Sequence, residues 1–274
     1  MFLKNKKWNL LALSFLGFAL VTTAQAAEST YSTAYINNDD SWKVEVAPYV
    51  WALNMNGTVQ VRRVRAHLDQ TFSDILSQLN WAGMVWVEAS KDKFGAFANI
   101  LYASLSDGAS DRYISAKVNT EFGLYSGGLS YQVYKTCFSA AGCDSNFSLA
   151  PYLGFRTTTN DVKIIVNTPF GSVQNTNNKD WTDPLVGARF NLNMTKSWLA
   201  ILAADIGGTN ASSDYSYNLV AMLGFKPQSI LKKTSWYLGY RLLDQHYATG
   251  TGRDYYNWNM KIFGPIASVS YTFG

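Results

Sequence analysis

Ala267-Ser268-Val269-Ser270-Tyr271-Thr272-Phe273, just ahead of Gly274, alternates apolar and small polar side chains at every step. A repeat of two is the repeat of a β-strand, so Ala267, Val269, Tyr271 and Phe273 share one face and Ser268, Ser270 and Thr272 the other. The two faces ask for different surroundings: one suits an apolar medium, the other a polar one.

The same pattern recurs upstream. Tyr215, Tyr217, Leu219, Ala221, Leu223 and Phe225 oppose Ser216, Asn218, Val220, Met222, Gly224 and Lys226. Trp236, Leu238, Tyr240 and Leu242 oppose Tyr237, Gly239, Arg241 and Leu243. Val186, Ala188, Phe190, Leu192 and Met194 oppose Leu185, Gly187, Arg189, Asn191 and Asn193, and Leu149, Pro151, Leu153 and Phe155 oppose Ala150, Tyr152, Gly154 and Arg156. A soluble sandwich also alternates, so periodicity alone does not choose between sandwich and barrel. The inward arginines choose, because a packed core excludes so many cations whereas a wet barrel interior accepts them. Aromatic side chains, 15% of all residues, stand at both ends of the 215–225 apolar face, as they do at the two interfaces of a membrane.

The predicted fold is all-β: a transmembrane, antiparallel, up-and-down barrel of about ten strands over residues 42–274. The strands fall near 42–54, 82–91, 94–106, 113–134, 147–166, 180–195, 197–208, 213–226, 234–248 and 255–274. Lys91-Asp92-Lys93 and Thr195-Lys196-Ser197 make tight periplasmic turns, and the longer loops face outward. The segment from Gly57 to Ala66 either extends the first strand or forms an extra hairpin, so counts from eight to twelve fit the pattern. One insertion in the first long connection has helical spacing: Phe72, Ile75, Leu76 and Leu79, with Thr71 as N-cap and Asp74 three residues on. This short amphipathic helix packs on the barrel rim or inner wall, or acts as a plug.

Residues 1–26 combine Lys4, Lys6 and Lys7 with an apolar run from Leu10 to Val21 and the small-residue site Ala24-Gln25-Ala26, the signature of a secretory signal peptide. Residues 27–41 then form a periplasmic N-terminal tail. The formal charge of +4 includes those three lysines, and removing them leaves +1. So small an excess gives no support to nucleic-acid binding. Cys137 and Cys143, in an exported chain, read as a local disulfide.

Trp42 with Pro48-Tyr49-Val50-Trp51, the Thr71-Phe72-Ser73-Asp74-Ile75-Leu76 helix, Leu238-Gly239-Tyr240-Arg241 and Phe263-Gly264-Pro265 occur in an order that resembles a broad family of Gram-negative outer-membrane β-barrel proteins. The resemblance covers roughly residues 42–274. It implies a closed barrel in the bacterial outer membrane, surrounded by outer-membrane lipid and inserted by the barrel assembly machinery. That machinery reads a terminal strand of alternating aromatics ending in an aromatic residue; here Phe273 is followed by Gly274. The family brings with it no defined reaction or substrate.

Lys43, Glu45, Glu88, Arg156, Arg189, Asp205, Lys226 and Arg241 fall on the lumen-facing register. Opposite charges in a barrel of eight to ten strands are expected to pair and fill it, giving a polar, occluded lumen and a structural or surface-interaction role. A small porin lined by these groups is the alternative. A lipid- or peptide-modifying enzyme is a further one, resting on His67 near Asp69 and His246 near Asp244; no Gly-x-Ser-x-Gly motif accompanies either histidine. The expected chain is non-enzymatic and takes no cofactor and no metal.

Overall fold

A computed structural model describes residues 41–110, 115–138, 143–208, 212–229 and 231–274. The expected leader, and all of the expected tail but residue 41, lie outside the described residues.

The described chain forms β1 (Lys43–Trp51), β2 (Asn54–Val61), β3 (Val64–Gln70), α1 (Phe72–Gln78), β4 (Leu79–Lys91), β5 (Phe94–Ser110), β6 (Ser115–Tyr131) and β7 (Tyr134–Cys137). It continues as β8 (Asn146–Thr168), β9 (Gly171–Asn193), β10 (Trp198–Gly208), β11 (Tyr215–Phe225), β12 (Thr234–Thr249) and β13 (Tyr256–Phe273). Ten of these make the wall, in the order β1-β4-β5-β6-β8-β9-β10-β11-β12-β13, and β13 pairs back onto β1. Every pairing is antiparallel, so the wall is a closed up-and-down barrel with no edge at its waist.

The Gly57–Ala66 segment does both things its sequence allowed. Along β13 the register runs from Trp51↔Ile266 straight on to Asn54↔Phe263, so β2 continues the line of β1. β2 then folds back as a hairpin with β3. At the break between β1 and β2, the Ala52 N–H donates to the Pro265 carbonyl at 2.9 Å, and a Cβ on Gly264 would collide with the Ala52 carbonyl oxygen. The Phe263-Gly264-Pro265 motif is therefore the place where β13 lets the opposite strand approach.

Thr71 caps α1 in a reciprocal box with Asp74: the Asp74 N–H donates to the Thr71 hydroxyl, and the Thr71 N–H donates to the Asp74 carboxylate at 3.0 Å. The Thr71 hydroxyl also donates to the Asp74 carboxylate at 2.6 Å, and this bond first, then the one from the Thr71 N–H, holds the Asp74 carboxyl below its usual pKa. β9 starts at Gly171, well before the expected position near 180. Its early residues Ser172–Asn178 carry no apolar alternation because both faces of the β8–β9 hairpin are polar there, which hides a strand from a periodicity reading.

The outer face carries the apolar surface. Trp198, Phe225, Trp236, Tyr271 and Phe273 are 39–52% exposed and sit at the end of the barrel that holds residue 43 and residue 273. Tyr217, paired with Ile206, stands eight residues beyond Phe225 on the same face. Between these levels the exposed side chains are Leu202, Leu219 and Leu223. A strand needs about 9–11 residues to cross a bilayer, which matches this distance. A closed barrel wearing an apolar belt between aromatic levels is a transmembrane barrel of the outer-membrane type.

Candidate functional site

Register decides which charges meet in the interior. Odd residues of β1, β9, β10 and β12, and even residues of β4, β8, β11 and β13, point inward. This brings Lys43, Glu45, Glu88, Arg156, Asp205, Lys226 and Arg241 into the interior, each under 9% exposed, and the Arg189 side chain at 11%.

Two clusters organise them. Arg189 Nη1 donates to both Glu88 oxygens at 2.9 and 2.7 Å, and its guanidinium lies 5.1 Å over the Trp86 ring, whose Nε1 donates to Glu88 at 3.3 Å. Glu88 stands directly opposite Glu45 across β1 and β4. Two facing carboxylates repel, so a cation at this level is an electrostatic necessity.

The second cluster centres on Asp205. Its Oδ1 accepts from Arg156 Nη2 at 2.7 Å, and its Oδ2 accepts from Tyr152 at 2.9 Å and from Asn218 Nδ2 at 2.8 Å. Arg156 also donates to Ser216 Oγ at 3.0 Å. Asn218 turns its other end to Arg241, whose Nε donates to Oδ1 at 3.0 Å. The Arg241 guanidinium lies 4.7 Å over Trp51 and also hydrogen-bonds the Tyr49 hydroxyl, which donates to Asn99 at 2.8 Å. Arg241 thus reaches Asp205 only through an amide.

Nearer the terminal end, Lys226 donates to Asn193 at 3.3 Å, and Lys43 shares that polar level with Ser270 and Thr272. Asp183, fully buried on β9, accepts from the Ser213 N–H at 2.9 Å. Sequence reading missed Asp183, although it lies two residues before Leu185 on the same inward register. Tyr49, Tyr152 and Asn218 were missed too, because uncharged side chains gave no signal of a role.

A cavity of about 140 Å³ lies among these clusters. Arg156, Arg189 and Arg241 line it, and so do apolar walls that include Phe97, Leu185, Ile201 and Val220. Toward the outer end the interior changes character. Trp51, Leu101, Leu124, Leu243, Met260 and Ile262 are 0–1% exposed, and Trp181 and Trp258 join them at 2–3%. Of the four apolar helix residues, Ile75 packs into this cluster, Phe72 is half-buried, Leu76 is 54% exposed, and Leu79 ends the helix and opens β4.

The histidines lie outside this interior. His67 is exposed on β3. His246 Nδ1 pairs at 2.8 Å with Asp214, while Asp244 instead faces Lys261 at 3.7 Å. The other His246 ring nitrogen meets Asn257 at 3.0 Å. Cys137 and Cys143 form a disulfide in the connection between β6 and β8, at the barrel end that carries the short turns. Among the described residues no three His, Cys, Asp or Glu side chains gather as metal ligands.

No protein-family model matches the chain, and no curated protein does. Solved structures similar to it are bacterial outer-membrane barrels. The attachment invasion locus protein Ail of Yersinia pestis, in complex with sucrose octasulfate, is 9% identical over 85% of this chain and 98% of that one, with a TM-score of 0.35. The outer membrane protease OmpT of Escherichia coli is 8% identical over 88% and 100%, with a TM-score of 0.45. A FadL homologue of Pseudomonas aeruginosa is 10% identical over 85% and 89%, with a TM-score of 0.26. No residue role carries over at such distances.

Proposed function

We propose that this barrel is a sealed, non-enzymatic outer-membrane protein that works at the cell surface through its outer hairpins. The observation that carries the reading is the apolar stopper: Trp51, Leu101, Leu124, Leu243, Met260 and Ile262 fill the outer half of a ten-strand lumen with no exposed surface beyond 1%. About eight strands enclose an interior just wide enough for side chains to fill, and diameter grows roughly linearly with strand number, so large side chains can close a ten-strand lumen. Ions then face an unhydrated layer as well as a charge-paired one.

The surface role rests on the β8–β9 hairpin, which runs to Thr168–Gly171, beyond the level of Tyr217, and exposes Phe170 fully and Val173 at 70%. His246 takes no catalytic part in this reading: it sits outside the interior, with Asp214 on one ring nitrogen and Asn257 on the other.

Planar-bilayer recording of the purified protein is the test. Silence at neutral pH over a range of voltages is the expected result. A steady open conductance would overturn the reading and put the small porin in its place.

A further inference from the structure

The buried charges of the interior do not balance. The cations are Lys43, Arg156, Arg189, Lys226 and Arg241, and the carboxylates are Glu45, Glu88, Asp183 and Asp205, so one positive charge is left over. Contact distances sort the cations. Arg189 is matched by Glu88, and Arg156 by Asp205, both at 2.7 Å. Arg241, 4% exposed, and Lys226, 8% exposed, have no carboxylate within 4.0 Å among the described residues; Lys226 meets Asn193 away from the cavity, whereas Arg241, held by a neutral amide, a phenol and an indole face, borders it. A buried guanidinium without an anion is costly, and its planar fork of donors matches the oxygens of a carboxylate or a phosphate; the apolar walls favour the one that carries an alkyl chain.

The surroundings specify the rest. Arg241 borders the 140 Å³ cavity, as does Ser126, whose buried hydroxyl has no hydrogen-bond partner among the described residues. The walls also hold the carboxylates Glu45, Glu88 and Asp205, of which Glu88 is neutralised by Arg189 and Asp205 by Arg156, and Ala47, Phe97, Ile201 and Val220, which offer contact to an alkyl chain. The space is many times the roughly 10–15 Å³ that one water needs, so it admits a small organic ligand. The level between the cavity and the terminal end is built from Ser148, Ser235, Ser270 and Lys226, whereas the outer side is the aromatic stopper.

We infer that the cavity is a binding site for a short-chain aliphatic monocarboxylate, its carboxylate on Arg241 and its alkyl end against Phe97, Ile201 and Val220. The site is independent of the surface role proposed above: a barrel silent in a bilayer can hold or lack this ligand.

Calorimetric titration of the detergent-solubilised full chain with sodium butyrate tests it, against sodium chloride at equal ionic strength and against butyramide, which keeps the shape and loses the charge. Saturable butyrate binding, absent for chloride and at least about tenfold weaker for butyramide, is expected, since a hydrogen bond to a charged group contributes about 1.5–3 kcal/mol. Arg241→Gln should weaken butyrate by a similar factor and Arg241→Lys by less. Should Arg241→Gln fail to fold, Ala203→Leu keeps the charge and fills the cavity, and it should abolish binding. No butyrate heat above the chloride control, or unchanged affinity in Ala203→Leu, overturns the inference.

Discussion

Asp205 accepts three hydrogen bonds and neutralises one arginine while facing a second through Asn218, so single and paired substitutions there should behave differently. Asp205→Asn keeps the shape but leaves Arg156, 2% exposed, without its counter-charge. Breaking a buried pair from one side costs about 3–5 kcal/mol. A drop of that order should appear in the denaturation midpoint of the detergent-extracted protein, and the apolar pair Arg156→Met with Asp205→Leu should recover most of it. A double-variant loss equal to the sum of the two single losses would mean that the pair is not coupled. Gly264 makes a second residue-scale case. A methyl group there meets the Ala52 carbonyl, so Gly264→Ala should cost about 1–3 kcal/mol by the same measurement, through overpacking at the β1–β2 break. Asp74 adds a pH dependence. Its pKa is lowered in the folded protein, so its support for the α1 cap is fully present above the ordinary carboxylate value and is lost as pH falls through the lowered one. Amide exchange in α1 should therefore quicken, relative to the barrel strands, on acidification toward that range, and Asp74→Asn should remove the dependence.

At the scale of elements the wall is uneven. β8 and β9 pair over their whole lengths, from Asn146↔Asn193 to Thr168↔Gly171, whereas β1 and β4 pair only from Lys43↔Ser90 to Pro48↔Val85. Beyond Pro48 the Trp51 N–H turns to the Met84 sulfur at 3.3 Å, and the chain between the two strands runs through β2, β3 and α1. On its other side β1 is continued along β13 by β2, whereas the β1–β4 ladder stops at Pro48 with nothing among the described residues to continue it. Local opening follows missing ladder bonds, so amides from Leu79 to Met84 should exchange earlier than those of β10 and β11. Uniform protection around the wall would refute this. The same region shows how far sequence reaches. Alternation located the other wall strands because their two faces meet different solvents, and the Thr71–Asp74 spacing located α1. It could not resolve the 57–66 segment, where β2 faces its own hairpin, nor the start of β9, where both faces meet water. The charged interior residues were legible from register parity alone. Their partners were not, because Arg156 and Asp205 are 49 residues apart and only closure of the sheet decides which strands face each other.

For the whole molecule the decisive surface is the outer one, because a soluble barrel could share every interior contact described above. Leu202 lies on β10 midway between Trp198, at the level of the terminal aromatic girdle, and Ile206, which pairs with Tyr217 at the outer one. It is 44% exposed and pairs with Ala221. If the belt faces hydrocarbon, an arginine there must carry its charge into the middle of the bilayer, at a cost of about 2–4 kcal/mol. Val173, 70% exposed on the β8–β9 hairpin beyond the outer girdle, meets water in either case, and an arginine there should stay within about 0.5 kcal/mol of the parent. Unfolding titrations of Leu202→Arg and Val173→Arg in lipid vesicles should separate the two by that margin, and in a short-chain detergent that tolerates the charge the gap should shrink. Equal stabilities in vesicles would mean that the apolar belt does not meet lipid.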